Sequence, residues 1–294
     1  MLTRIITAVV ALCVLVPVLI FAPAWIVACV FVLLGAVAVY EFFSCVGLKK
    51  EIWLLIVAVL GLLLSIVPSV LMVWNPDCLL GHGFWSEMVA LLPSFAQAFV
   101  VLAFMIAAVA RYKKLPVDRL VMLFGLFFYA KIGFSALAFL ALEGDGVAVS
   151  KMVGASVPLW IALCIPWVAD TLAYFSGYFF GKRKLCPEIS PKKTVEGAIG
   201  GVASTGIVAV LVYGFAKSWD IVPLLVVFFG AMILAVVSIY GDLFASVVKR
   251  HFGVKDYGKL FPGHGGVMDR FDSTIPVAIT LQLLLNIPYF TELL

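Results

Sequence analysis

The stretch from Gly241 to Ser273 holds most of the residues in this chain that could do chemistry on a charged substrate. It contains four aspartates, five Lys or Arg residues and two histidines, whereas the whole chain is only 12% charged and 65% hydrophobic. Three of its aspartates, Asp242, Asp269 and Asp272, lie where the sequence enters or leaves long apolar runs. Mg²⁺ prefers carboxylate oxygens and usually also binds substrate phosphates. The pattern therefore favours a divalent-cation site that handles phosphates.

A glycine-rich turn and several basic residues accompany these aspartates. Gly265 and Gly266, within the segment Pro262–Gly266, allow a backbone to approach a phosphate closely or to adopt a positive φ without strain. His264 is a candidate to orient or protonate a phosphate oxygen, and hydrogen bonding to backbone is an equal alternative for it. The residues that supply cationic donors for phosphate oxygens are Lys249, Arg250, Lys255, Lys259 and Arg270. The competing interpretation of the whole stretch is a solvated basic loop between two membrane helices.

A second basic segment precedes this stretch in the chain. Ser190, Lys192, Lys193 and Thr194 combine two hydroxyls and two lysines at the expected start of a helix. Such a combination makes a good cradle for a triphosphate. The alternative is a basic segment that only sets membrane topology or contacts anionic lipid.

Two charged residues interrupt apolar runs. Asp170 lies about 11 residues above the cytoplasmic end of its predicted span, hence about 16 Å along a helix, and Lys131 lies near the middle of another span. An ionisable group inside a membrane is costly and is a functional hypothesis by default. We expect Asp170 to help hold a phosphate or a second cation. For Lys131, the alternatives are a partner of Asp170 or of a phosphate, and a lysine that is buried or snorkels to the surface.

Three segments of this chain resemble the phosphatidate cytidylyltransferases, also called CDP-diacylglycerol synthases. The matching runs are Trp167–Tyr174, Ser190–Gly197 and Ser246–Asp272, in the order of that family. The resemblance implies an integral membrane enzyme that joins phosphatidate to CTP with Mg²⁺ and releases pyrophosphate. One position departs from the family pattern, because members often have an acidic residue where this chain has Ala245.

The resemblance and the residue chemistry together predict a set of site residues. Asp242 and Asp269, and then Asp272, are the predicted metal ligands; Asp269 and Asp272 can face one ion if the following helix has already begun. The residues with predicted catalytic roles are Asp170, Lys193, Asp242, His264, Asp269 and Asp272. The predicted substrate-binding residues are Ser190, Lys192, Lys193, Thr194, Ser246, Lys249, Arg250, Lys255, Gly265, Gly266 and Arg270.

The composition of the chain predicts an all-α, polytopic integral membrane protein. Its mean hydropathy of +1.20 is too high for a soluble globular protein, and runs of about 20 apolar residues are long enough to cross a bilayer. Nucleic acid is excluded as a partner, since the basic residues lie in separate loops without an aromatic platform. The nine predicted spans are about 3–21, 24–44, 52–74, 88–110, 119–142, 157–181, 197–216, 221–245 and 274–291.

The distribution of basic residues predicts an orientation with the N-terminus inside and the C-terminus outside. In that orientation 17 of the 20 Lys and Arg residues lie on the inside, as the positive-inside rule requires. The predicted active site then faces the cytoplasm of a bacterial cytoplasmic (inner) membrane. We expect an N-terminal transmembrane region over 1–156 and a catalytic region over 157–294, with cytoplasmic loops at 182–196 and 246–273.

Two other functions remain open at the level of the sequence. One is a CTP-dependent transferase that acts on another lipid phosphate or on a polyprenol. The other is a transporter that uses Asp170 and Lys131 as an ion path, although transporters concentrate polar groups in broken helices at mid-membrane. Glu41, near the end of the second predicted span, is most simply an interfacial residue. A homodimer is a hypothesis that the sequence does not decide.

Overall fold

The structure, a computed structural model, describes residues 13–74, 84–142, 156–263, 265–287 and 289–290. The chain forms two compact units. The first unit comprises Met1–Val157 and Val254–Arg270, and the second comprises Pro158–Gly253 and Phe271–Leu294. Both are built almost wholly from helices, as the composition predicts.

In the described part of the first unit, five helices follow a helical stretch at residues 13–21. They are α1 (Ala24–Cys45), α2 (Ile52–Leu64), α3 (Val67–Trp74), α4 (Phe84–Ala110) and α5 (Val117–Leu142). Gly35 lets α1 approach α5 closely, since a Cβ at Gly35 would lie 2.9 Å from the Cβ of Phe134. Gly61 has the same role between α2 and α4, because a Cβ there would overlap Val100.

In the second unit, the described elements are helices and a short β-hairpin. They are, in order, α6 (Val157–Phe180), β1 (Lys184–Cys186), β2 (Ser190–Thr194), α7 (Val195–Ala216), α8 (Ile221–His251) and, after the loop that belongs to the first unit, α10 (Thr274–Leu285). The strands β1 and β2 pair antiparallel within a segment that the sequence predicted only as a loop. The short helix α9 (Met268–Phe271) lies where the chain passes from the first unit into the second.

Six of the described helices are long and apolar enough to cross a membrane, and α2 and α10 are shorter apolar helices. The protein is therefore an all-α, polytopic membrane protein. The nine crossings and the inside position of the N-terminus stay predictions. Two details differ from the predicted spans. The segment 52–74 is two helices, because α2 ends at Leu64 and α3 begins at Val67. Helix α8 continues to His251 and so includes Ser246, Lys249 and Arg250, whereas the prediction ended the span at 245 and placed these residues in a loop.

Candidate active site

The β-hairpin fixes the backbone of Lys193 at the start of α7. Thr194 caps this helix, because its hydroxyl oxygen accepts a hydrogen bond from the amide of Gly197 at 3.1 Å. The carboxylate of Glu196 accepts further bonds from the amides of residues 182 and 183, at 3.0 and 3.1 Å. Glu196 thus ties the chain before β1 to the first turn of α7. Lys193 lies between this attachment and the Thr194 cap in the sequence.

Glycines in α6, directly after α6 and in the first turns of α7 let the two helices approach closely beside Lys193. A Cβ on Gly177 would lie 2.7 Å from the hydroxyl oxygen of Thr194, and one on Gly181 would lie 2.9 Å from the same atom. A Cβ on Gly197 would lie 3.0 Å from the Cα of Gly177. This close approach places Lys193, next to Thr194, against the helix that carries Asp170.

Lys193 connects two carboxylates from different helices. Its ammonium nitrogen lies 2.7 Å from Oδ2 of Asp242 on α8 and 3.7 Å from Oδ1 of Asp170 on α6. That nitrogen is shielded from solvent, whereas the side chain of Asp170 is 49% exposed and that of Asp242 is 26% exposed. One buried positive charge is therefore shared by two accessible carboxylates.

Gly241 brings a third carboxylate to this region. A Cβ at Gly241 would lie 2.6 Å from the backbone oxygen of Asp272 and would overlap the ring of Pro276. Only glycine therefore allows α8 to approach the segment that precedes α10. Because Asp242 follows Gly241 directly, this approach brings the carboxyl groups of Asp242 and Asp272 close enough to interact electrostatically.

Asp272 has an unusual electrostatic environment. Burial, together with the negative charge of Asp242, raises its pKa to about 7, against the opposing effects of Lys249 and of the Ser273 amide. Lys249 lies 4.0 Å from Oδ2 of Asp272, and the amide of Ser273 donates to Oδ1 at 2.8 Å. We define the Asp–Lys cluster as three carboxylates and two ammonium groups, namely Asp170, Asp242, Asp272, Lys193 and Lys249. With all groups ionised, the cluster has an excess of negative charge.

The donor chemistry of the Asp–Lys cluster fits Mg²⁺. Two neighbouring carboxylates, Asp242 and Asp272, repel each other, and a cation relieves that repulsion. Within the described parts of the chain, no group of three or more His, Cys, Asp or Glu side chains is arranged to hold a metal. Mg²⁺ does not need such a cage, because it usually binds one or two carboxylates together with water and substrate phosphates.

Asp269, also predicted to bind the metal, takes part in a different arrangement in the first unit. Its Oδ2 accepts hydrogen bonds from the amides of Tyr257 at 2.8 Å and Gly266 at 2.9 Å. The residue is 8% exposed. The metal role of Asp269 and the phosphate contacts of Gly265 and Gly266 stay predictions. In this structure the amide of Gly266 already has a carboxylate acceptor.

Glu41 is a residue whose importance the sequence analysis missed. It is 3% exposed rather than interfacial, and its two carboxylate oxygens accept the amides of Val267 and Met268, each at 2.9 Å. An acidic residue in an apolar run requires hydrogen-bond donors, and that requirement was the available signal. Its donors, however, lie more than 220 residues further along the chain.

The remaining predicted residues have varied environments. Lys131 donates a hydrogen bond to Gln97 at 3.1 Å and lies over the ring of Phe128. It therefore has a protein partner other than Asp170, which pairs with Lys193. Ala245 is buried, and His264 lies outside the described residues. The predicted substrate-binding side chains that are exposed are Lys192, Arg250, Lys255 and Arg270, while Ser190 and Ser246 are partly buried.

Comparison with known proteins identifies the family of this chain. Residues 2–288 match the Cytidylyltransferase family. The chain is similar to the phosphatidate cytidylyltransferase of Staphylococcus haemolyticus, with 32% identity over 283 residues, 96% of this chain and 98% of the relative. It is also similar to the protein of that name from Staphylococcus aureus, with 31% identity over 284 residues, again 96% and 98%. These matches favour the enzyme over the transporter alternative. The chain belongs to the cytidylyltransferase family, and it is a membrane-embedded nucleotidyltransferase.

Proposed function

We propose that this protein transfers the cytidylyl group of CTP to phosphatidate, with CDP-diacylglycerol and pyrophosphate as products, in phospholipid biosynthesis. One observation carries the proposal. The ammonium group of Lys193 joins Asp170 and Asp242 on two membrane helices. This arrangement occurs in a chain that is similar over 96% of its length to a protein named phosphatidate cytidylyltransferase.

The reaction sets the requirements that the site must meet. A phosphate oxygen of phosphatidate attacks the α-phosphorus of CTP and forms a new P–O bond. The bond from that phosphorus to the oxygen that bridges to the β-phosphate breaks, and pyrophosphate leaves. The attacking oxygen is ionised near neutral pH, so no general base is required. The protein must therefore reduce repulsion between two anions and stabilise charge on the leaving group.

The residues of the Asp–Lys cluster can meet these requirements. Asp242 and Asp272 would hold Mg²⁺, which when bound neutralises phosphate charge and polarises the phosphorus. Lys193 contributes a positive charge that is shielded from solvent and so is weakly screened. Asp170, which is half-exposed, keeps Lys193 in place and is available to a second cation. Lys192, Lys249 and Arg250 supply further donors for phosphate oxygens.

A transfer assay with purified protein tests the proposed function. The protein is incubated with Mg²⁺, CTP labelled at the α-phosphate and, in separate reactions, phosphatidate, an ether-linked lipid phosphate, a polyprenyl phosphate or no lipid. We expect label in the lipid fraction with phosphatidate, and labelled pyrophosphate when CTP carries the label at the γ-phosphate. Transfer only to the polyprenyl phosphate would assign the other lipid class. Absence of transfer to every acceptor would overturn the proposal.

We also propose that the active site faces the cytoplasm of a bacterial inner membrane, where CTP is available. The distribution of basic residues supports this orientation. In a background without the six native cysteines, Lys259→Cys should react with an impermeant thiol reagent only from the cytoplasmic side, and Lys217→Cys only from outside. Both positions are exposed. Gly258 is unsuitable for a cysteine in this test, because a side chain there would overlap Glu41. Reaction of both cysteines from the same side would contradict the proposed topology.

A further inference from the structure

The glycine-rich loop of the first unit, which lies between α8 and α9 and contains Gly258, Gly265 and Gly266, is held by two carboxylates of the protein itself. Three successive amides, of Gly266, Val267 and Met268, donate to Oδ2 of Asp269, Oε1 of Glu41 and Oε2 of Glu41. Consecutive amides that point to an anion are the arrangement by which glycine-rich loops bind phosphate. Here the anions are side chains of the same chain.

The glycines of this loop are explained by the same two carboxylates. A Cβ at Gly258 or at Gly266 would overlap the carboxylate of Glu41. Gly265 has a φ of +87°, which L side chains rarely adopt, and a Cβ there would lie 2.8 Å from Oδ2 of Asp269. The loop therefore requires glycine so that Glu41 and Asp269 can reach its backbone.

Helix α1 provides a rigid base for the loop. Glu41 and Phe42 are both buried near the end of α1, and the ring of Phe42 meets that of Tyr257 edge-on, with 5.2 Å between centroids. The beginning of the loop is therefore attached to α1 through Tyr257. The end of the loop is attached to α1 through Val267 and Met268. Three exposed basic residues lie in or next to this loop, namely Lys255, Lys259 and Arg270.

We propose that Glu41 is a positioning residue for the transfer reaction. Its carboxylate fixes the backbone of Val267 and Met268 at the end of the glycine-rich loop, so that Lys255, Lys259 and Arg270 present their positive charges to substrate phosphates in one arrangement. Glu41 itself touches no substrate in this role. The inference rests on the proposed function, because it assumes that the substrates are phosphates.

Glu41→Gln is the variant that isolates this role. Glutamine has the same size as glutamate, but only one end of its amide accepts hydrogen bonds. Its NH₂ group would therefore face the amide of Val267 or Met268, donor against donor, in a buried place. The matched control is Glu51→Gln. Glu51 is another carboxylate of the first unit, and it pairs at 2.7 Å with Arg111, which is not a residue of the loop.

We expect Glu41→Gln to lower kcat/KM by about 10- to 100-fold, because small misplacements of binding groups have effects of that size. Amide hydrogen exchange at residues 266–268 should accelerate at least roughly tenfold, while α7 and α8 keep their protection. Glu51→Gln should leave both quantities within about twofold of wild type, since a part-exposed pair contributes little.

A double-mutant cycle tests the contact from the side of the loop. Gly258→Ala alone should lower kcat/KM, because its methyl group meets the carboxylate of Glu41. In a Glu41→Ala background the carboxylate is absent, and the same change should have a much smaller additional effect. Such coupling is the signature of residues in direct contact.

Three results would overturn the inference. One is wild-type kcat/KM in folded Glu41→Gln; another is a lower melting temperature with unchanged kcat/KM, which would make Glu41 purely structural. The third is that no variant at position 41 can be purified in folded form, which would also make Glu41 purely structural. Inactivity of the wild type with every lipid phosphate would instead reject the proposed function and the catalytic part of this inference. The exchange rates would still report whether Glu41 fixes the loop.

Discussion

The two carboxylate-rich regions of this protein differ in what their carboxylates bind. In the second unit, Asp170 and Asp242 share the ammonium group of Lys193. In the first unit, Glu41 and Asp269 accept backbone amides. An ammonium group on a flexible stem can exchange a carboxylate for a phosphate or give way to a cation. An amide is part of the chain, so a carboxylate that binds it orders the backbone. The first arrangement suits chemistry and the second suits positioning.

The largest expected effect comes from removing charge in the Asp–Lys cluster. Asp242→Asn should lower turnover by about 10³-fold, because it removes a carboxylate that would hold the cation opposite transferring phosphates. The protein should still fold, since Asp242 is only partly buried. The control is Asp220→Asn at the start of the same helix, where the side chain is exposed. Turnover above about a tenth of wild type in Asp242→Asn would contradict the view that the carboxylates of the second unit carry the chemistry, whereas those of the first unit position the backbone.

Two adjacent lysines provide the next comparison. Lys193→Met should lower turnover by about 100-fold, because it leaves Asp170 and Asp242 without the positive charge between them. Lys192→Met, at an exposed position of the same strand, should change the KM for CTP by only a few fold. Steady-state kinetics on both variants measures the difference. Equal effects would mean that Lys193 acts only as part of a general positive surface.

The pH dependence of metal binding gives a smaller effect. The pKa of Asp272 is raised to about 7, so at lower pH a cation must displace a proton. Metal affinity should therefore fall by up to about tenfold per pH unit below 7. The ordinary pKa of an aspartate is 3.8, and that of Asp272 in the folded protein is about 7. Without metal, the folded protein should therefore lose stability as the pH rises from 3.8 through 7.

Melting temperatures with Mg²⁺ and with chelator, from pH 5.5 to 8.5, measure both trends. In wild type, the stabilisation by Mg²⁺ should grow with pH. In Asp272→Asn it should be small at every pH, because position 272 no longer carries a group that titrates. A stabilisation by Mg²⁺ that is independent of pH in wild type would show that Asp272 does not bind the cation.

The smallest expected effect concerns the packing that supports Lys193. Gly177→Ala should destabilise the protein by about 1–3 kcal/mol, because the new Cβ would press on Thr194. The matched control is Gly125→Ala in α5, where a Cβ would meet nothing within 4 Å. That change should stabilise by about 0.5–1 kcal/mol through helix propensity. Denaturant unfolding compares the two, and equal changes would count against a close contact at Gly177.

Much of the Asp–Lys cluster could be predicted from the sequence. Asp170, Lys193 and Asp242 each stand out locally, as a charge within an apolar run or as part of a polar motif. Their pairing could not be predicted, because it depends on how closely α6 and α7 approach at Gly177 and Gly197. Asp170 therefore pairs with Lys193, whereas the sequence analysis considered Lys131 as its partner.

The role of Glu41 could not be predicted from its surroundings in the sequence. It lies among aromatic residues near a helix end, which is also the pattern of an interfacial residue. Its donors, Val267 and Met268, are backbone amides, and an amide leaves no trace in residue identity. The glycines that accommodate its carboxylate were visible, but a glycine-rich turn favours a bound phosphate as readily as a bound carboxylate.

Cation binding tests the central claim most directly. Mn²⁺ in place of Mg²⁺ can be titrated into the purified protein and followed by electron paramagnetic resonance, with no need for turnover. We expect Asp242→Asn to weaken Mn²⁺ binding at least about tenfold, while Asp220→Asn binds as wild type does. Separate titration of Asp269→Asn decides its predicted metal role. Wild-type affinity in Asp242→Asn would contradict the assignment of the cation to the Asp–Lys cluster.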